Sequence, residues 1–131
     1  MKKLLSYLLI GSSLLLCAAA PPPLSQKDPE YTAVMYLNRA EATETVVIRI
    51  DLTPVPGWKW NANFPAKFVT NDTDSFEVSS PEIHNLKEKV TVYLEVTLKQ
   101  KEPLPLDVTG TYSFCNDETC KIFNRNFTFK L

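Results

Sequence analysis

The chain has 131 residues, 44% hydrophobic and 22% charged, with 14 basic against 15 acidic side chains and a formal net charge of −1. That balance, with basic residues scattered along the chain, argues against a nucleic-acid partner. Three glycines provide no phosphate-cradling loop, and the single histidine, His84, reads as a solvated loop residue that supports neither a Ser-His-Asp triad nor a zinc site.

The first nineteen residues read as a secretory signal peptide. Lys2 and Lys3 form a basic start, Leu4 to Leu16 an apolar stretch, and Ala18 to Ala20 a small-residue cleavage region, too short and wrongly flanked for a transmembrane helix. Cleavage after Ala19 keeps Pro21 away from the cut. Cys17 ends the apolar stretch where a lipid-modified cysteine would lie, although Leu14-Leu15-Leu16 lacks the small residue expected just before it. Residues 20–30, proline-rich and without periodicity, read as a tether. The exported chain then has roughly 110 residues, one domain with a sizeable core, and a charge balance of 12 basic to 15 acidic residues.

From Tyr31 onward the period is two. Val46, Ile48, Ile50 and Leu52 alternate with polar neighbours, as do Val90, Val92, Leu94, Val96 and Leu98, and then Phe127, Phe129 and Leu131. This alternation marks strands with one buried face. Shorter strands are expected over Thr32–Asn38, Trp58–Asn63, Lys67–Thr70, Ser75–Ser79 and Leu106–Cys115. Turn signals at Pro56-Gly57, Asn71-Asp72, Ser80-Pro81 and Asn116-Asp117 separate them. Seven or eight short strands and no helical stripe indicate an all-β, antiparallel, immunoglobulin-like β-sandwich, with a small barrel as the alternative. The predicted core contains Ile48, Ile50, Val92, Leu94, Val96, Tyr112, Phe127 and Phe129.

Cys115 and Cys120 are the two cysteines left after export, and an oxidising compartment favours a bridge between them. A hairpin of 108–115 with 120–129 sets them opposite one another, about 5 Å apart at Cα, within disulfide reach. The same register puts Val108, Tyr112 and Phe114 on one face with Phe123, Phe127 and Phe129. The cysteines fall on the other face, with Thr111, Ser113, Asn124 and Asn126. Closing so short a loop removes only about 2 kcal/mol of unfolded-chain entropy, against about 4–5 kcal/mol for a 100-residue loop. A short bridge on an accessible face is instead open to thiolate attack. Asp117 and Glu118 in the loop disfavour a thiolate, whereas Lys121 favours one. Trp58 and Trp60 share a strand face, either as core or as an aromatic wall beside the disulfide. Asn71-Asp72-Thr73 and Asn126-Phe127-Thr128 match glycosylation acceptors and read as chance matches.

The run Gly110-Thr111-Tyr112-Ser113-Phe114-Cys115-Asn116-Asp117-Glu118-Thr119-Cys120 resembles the cysteine hairpin of the N-terminal periplasmic domain of the thiol:disulfide interchange protein DsbD. Val55-Pro56-Gly57-Trp58-Lys59-Trp60-Asn61-Ala62-Asn63 is similar to that family's glycine-aromatic strand. The resemblance spans 31–131. It implies an immunoglobulin-like periplasmic domain with Cys115 and Cys120 as the catalytic redox pair. It also implies Trp58, Trp60 and Tyr112 as partner-binding aromatics, and a cap loop near Ser79–Lys87 that opens for partners. Electrons would come from a membrane-embedded or thioredoxin-like donor and pass to an exported thiol-disulfide protein, with no cofactor and with the domain as a monomer. Two features depart from the family. Lys121-Ile122-Phe123 stands where prolines often follow the second cysteine, and the chain ends at Leu131 rather than continuing into a membrane region and a thioredoxin-like domain, so the donor is expected to be separate. The competing reading is a non-catalytic β-sandwich binding module whose hairpin disulfide only rigidifies a loop.

Overall fold

Alternating residues can bury one face only if a second sheet covers it, and two sheets do this here. A computed structural model of the chain describes residues 24–39, 44–71, 74–99 and 105–131. The expected signal peptide, Cys17 and the start of the tether lie outside them. The described strands are β1 (Leu24–Lys27), β2 (Tyr31–Arg39), β3 (Thr45–Pro54), β4 (Lys59–Trp60), β5 (Lys67–Thr70), β6 (Phe76–Val78), β7 (Glu82–Asn85), β8 (Val90–Leu98), β9 (Leu106–Cys115) and β10 (Cys120–Phe129). All pairings are antiparallel. One sheet runs β1-β2-β3-β8, with β6 and β7 pairing successive stretches of the far edge of β8. The other runs β10-β9, with β4 and β5 pairing successive stretches of β9. The architecture is an immunoglobulin-like sandwich.

The core is the one the alternation predicts. Ile48, Ile50, Val92, Leu94 and Val96 from the first sheet meet Tyr112, Phe127 and Phe129 from the second, all buried. Phe114, Phe123, Phe68 and Leu106 fill the space around them. Gly110, buried in β9, makes room for Phe68: a Cβ there would sit 2.7 Å from the ring.

Three strands differ from expectation. Leu24–Lys27, inside the stretch read as tether, pairs with Thr32–Met35 of β2. Its residues are all exposed, so it carries no alternation to detect. The Trp58–Asn63 strand is cut to Lys59–Trp60, because the Asn61 side-chain carbonyl accepts the Asn63 amide at 3.2 Å and turns the chain. Glu82–Asn85, part of the expected cap-loop segment, is instead an exposed edge strand on β8. Ser79 and Pro81 bend the chain between β6 and β7, with Ser79 bonding Glu95 through both its amide and its hydroxyl oxygen.

The turn before β4 is of type II. The Trp58 amide donates to the Val55 carbonyl at 3.0 Å, Pro56 occupies the first central position and Gly57 the second, with φ at 94°.

Leu94 is fully buried at the centre of the first sheet. Leu94→Ala is expected to cost about 2–5 kcal/mol in denaturant unfolding; a loss below about 1 kcal/mol would contradict its placement in the core.

Candidate functional site: the β9–β10 hairpin tip

The tip of the hairpin is built around Asn116. Its side-chain carbonyl accepts the amides of Glu118 and Thr119 at 2.8 and 2.7 Å, and its own amide donates to the Thr119 carbonyl at 2.9 Å. The 116–119 pair is therefore the hydrogen-bonded one. The next pair down, Cys115 and Cys120, is of the non-hydrogen-bonded type, in which strands approach more closely. The two cysteines are disulfide-bonded, with Cα atoms 4.0 Å apart.

Burial of Tyr112 and Phe114 between the sheets forces Ser113 and Cys115 to the outside of the second sheet. Ser113 is nevertheless covered: the Asn61 amide donates to its carbonyl at 2.9 Å and Asn61 Nδ2 to its hydroxyl at 3.3 Å. Cys115 is half-buried beside this strap and Cys120 is exposed. Ile122, 65% exposed, and Val69, 61% exposed, are large apolar residues on this face.

Cys115 has a neighbour on each side. Cys120 lies on β10, and Lys59 lies directly opposite on β4. Directly paired residues share a face, with Cβ atoms about 4.5–5.5 Å apart, so the Lys59 side chain leaves the sheet beside Cys115. Lys59 is exposed, and no acidic partner meets it among the described residues. Its position follows from Trp58 and Trp60 alternating inward, a signal available in the sequence once the residue between them is considered.

Lys121, expected to favour a thiolate, does not serve that purpose. It pairs with Phe114 and so faces inward, where Nζ bonds Glu30 Oε1 at 2.6 Å and lies over the Trp58 ring. Trp60 also faces inward, stacked on Tyr112 with centroids 5.8 Å apart, so it forms core rather than a wall beside the disulfide. Tyr112 is fully buried and therefore makes no direct partner contact. Trp58 is half-buried at the same end of the sandwich.

A hydroxyl chain lies beneath the tip. Tyr31 of β2 and Tyr112 of β9 bond across the sheets at 2.5 Å. The Asp28 carboxylate lies beside the Tyr31 hydroxyl, whose pKa burial raises most strongly and Asp28 raises further. Arg125 holds Asp28 from β10, with Nη2–Oδ1 at 3.0 Å and Nε–Oδ2 at 3.3 Å. Tyr31 also stacks on Phe114, centroids 4.9 Å apart. Burial pushes the Tyr31 hydroxyl from 10.0 up to about 12, and the Tyr112 hydroxyl further in the same direction. The Arg125 hydrogen bond holds Asp28 below its ordinary 3.8.

A groove of about 350 Å³ opens between β4 and the β7–β8 turn, lined by Trp58, Lys59, Trp60, Leu86, Lys87 and Glu88 among others. The expected cap segment thus reaches the disulfide end only through its last residues and the turn that follows. His84 is exposed on β7, 3.4 Å from Glu82. Among the described residues no group of three His, Cys, Asp or Glu side chains is placed to hold a metal.

No protein-family model matches the chain, and no curated protein matches it. Solved structures do. The N-terminal periplasmic domain of ScsB from Proteus mirabilis superposes with a TM-score of 0.56 at 13% identity, over 81% of this chain and 49% of that one. The chain thus spans about half the length of that structure. The yeast GGA1 GAE domain has a TM-score of 0.56 at 8% identity, over 79% of this chain and 95% of its own. The GAE domain of GGA2p from Saccharomyces cerevisiae has 0.55 at 13%, over 82% and 97%. The shared property is the fold. It is the one implied by the sequence resemblance to the DsbD N-terminal domain.

The hydroxyl chain makes stability depend on pH at both extremes. Asp28, its acidity increased by folding, stabilises the fold above its unfolded value near 3.8, and that contribution is lost as pH falls through its lowered folded value. Tyr31 and Tyr112, held neutral by folding, stabilise it below about 10, and that contribution is lost as pH rises from there through about 12 for Tyr31 and higher for Tyr112. Denaturant midpoints measured from pH 2 to 12 are expected to fall at both ends. The alkaline fall should flatten in the Tyr31→Phe/Tyr112→Phe variant and the acid fall in Asp28→Asn; unchanged limbs would contradict the assignment.

Proposed function

We propose that this is an exported, periplasmic thiol–disulfide exchange protein in which the Cys115–Cys120 bridge accepts electrons from a reduced donor and passes them to another envelope protein. The carrying observation is the position of the bridge: at the tip of a rigid hairpin, on the outer face of the sheet, with Cys120 exposed. The tip is already held by Asn116 and anchored by the buried aromatics, so the bridge adds little as a staple. The sequence resemblance to DsbD and the fold shared with a periplasmic ScsB domain support the same reading.

In the proposed reaction, a thiolate of a dithiol donor, thioredoxin-like or membrane-embedded, attacks Sγ of Cys120. A donor–Cys120 mixed disulfide forms, the Cys115–Cys120 bond breaks, and its electron pair goes to Sγ of Cys115. The second donor thiol, as thiolate, then attacks the donor sulfur of the mixed disulfide and releases the Cys120 thiolate, leaving an oxidised donor and a reduced domain. Reduction of an exported acceptor's disulfide runs the same chemistry outward. Trp58 and the groove beside it offer the partner surface, and Trp60 and Tyr112 support it from beneath.

Replacing both cysteines by Ser is expected to leave the fold intact, at a cost of no more than about 2–3 kcal/mol, and to abolish electron transfer from a reduced thioredoxin-like protein. Cys115→Ser should accumulate a mixed disulfide through Cys120, seen as a reducible adduct on non-reducing gels. Failure of every dithiol donor to reduce the wild-type bridge, together with no adduct from the single variant, would make the non-catalytic binding module the better reading.

A further inference from the structure

Resting on the exchange reading, we infer that Lys59 is a positioning residue for that chemistry: its ammonium group stabilises the Cys115 thiolate that forms when the bridge opens. Three observations carry this. Lys59 is the direct cross-strand partner of Cys115, on the opposite side from Cys120. It shares the outer face with Cys115, because Trp60 and Phe114, the next pair along, both face inward. No carboxylate pairs with it among the described residues, whereas Lys121 is engaged with Glu30 on the inner face and Lys89 with Asp51.

The charged and titratable groups around Cys115 come from four elements. β4 brings Lys59 and β10 brings Cys120. The hairpin turn brings Asp117 and Glu118, and across the groove the β7–β8 turn brings Lys87 and Glu88. Asp117 and Glu118 oppose the thiolate, but both are exposed on the turn beyond the cysteine pair, where water and salt screen them. Lys59 is a direct cross-strand neighbour, of the hydrogen-bonded pair type, with its Cβ about 5.5 Å from that of Cys115. Cys115 is also half-buried beside the Asn61 strap, which strengthens a nearby charge relative to one in open water.

The consequence concerns the step in which the bridge breaks. The donor thiolate bonds to Cys120 Sγ, and the electron pair of the broken bond arrives on Cys115 Sγ beside the ammonium. A leaving thiolate that is better stabilised leaves faster, so Lys59 favours opening of the bridge in the sense that places the mixed disulfide on the exposed sulfur.

The test is the pH dependence of alkylation at Cys115. The full chain is reduced and treated with iodoacetamide, a neutral probe, from pH 5 to 10, and labelling of Cys115 is read by peptide mass spectrometry. Lys59→Gln is expected to raise the midpoint by about 0.5–1 pH unit, and Lys59→Arg to leave it near the wild-type value. No shift in Lys59→Gln, or an equal shift in both variants, overturns the inference. A measurement on the wild-type protein alone decides independently of any variant. Raising the ionic strength from 0.01 to 1 M moves the midpoint up if Lys59 dominates. A downward shift, as expected if Asp117 and Glu118 dominate, or no shift, overturns it. Neither readout needs a donor, so the role of Lys59 can fail while exchange survives, and exchange can fail while Lys59 still shifts the thiol.

Discussion

The hydrogen bond between the hydroxyls of Tyr31 and Tyr112 joins the two sheets, and the position of the disulfide depends on it. A buried hydroxyl without a partner costs about 1–3 kcal/mol, so Tyr112 must face Tyr31. Strand geometry then leaves no freedom: with Tyr112 and Phe114 inward, Cys115 is outward, and pairing with β10 carries Cys120 out with it. A register slip of one residue would bury both sulfurs and expose the aromatics. The Tyr31 contacts with Phe114 and Phe123, each of a kind worth about 0.5–1.5 kcal/mol beyond area burial, reinforce the same choice.

Around that bond the inter-sheet contacts form a second layer. Asp28 and Glu30, in the connection between β1 and β2, reach across to Arg125 and Lys121 on β10. The Glu30 carbonyl also accepts the Val55 amide at 3.0 Å, tying the Pro56-Gly57 turn to the same connection. The turn starts β4, and β4 presents Lys59 to Cys115. Thus the groups that surround the disulfide are placed by a continuous set of bonds that begins in the core and ends at the surface.

Much of this was legible in the sequence, for definite reasons. β3, β8, β9 and β10 each bury one face, so alternation located them, and Asn116-Asp117 located the turn between the cysteines. The expected strand over Lys67–Thr70 coincides with β5 at both ends. β1 and β7 were not found, because strands whose residues are all exposed carry no hydropathy signal and exist only through their partners. The Trp58–Asn63 strand was overextended because the side-chain bond of Asn61 competes with strand geometry, and propensity does not report such competition. The ion pairs of Lys121 and Arg125 join residues 91 and 97 positions apart. No local pattern indicates which carboxylate a lysine will find, so the sequence points to Lys121, adjacent to Cys120, and gives no sign of Lys59. Alternation makes Tyr112 core and the family resemblance makes it a partner contact; its burial leaves only the first role.

The inward-facing charges of β10 have a consequence for how copies of the domain meet. β10 is ten residues long and, among the described residues, pairs only with β9, which leaves its other side as a sheet edge. A long open edge next to an exposed isoleucine invites strand-to-strand stacking between molecules. Lys121 and Arg125, pointing inward and held by Glu30 and Asp28, place two ion pairs along that margin, and an arriving strand would have to disrupt or desolvate them. The same two pairs that clip the sandwich shut thus guard its flank against a second copy of the same strand.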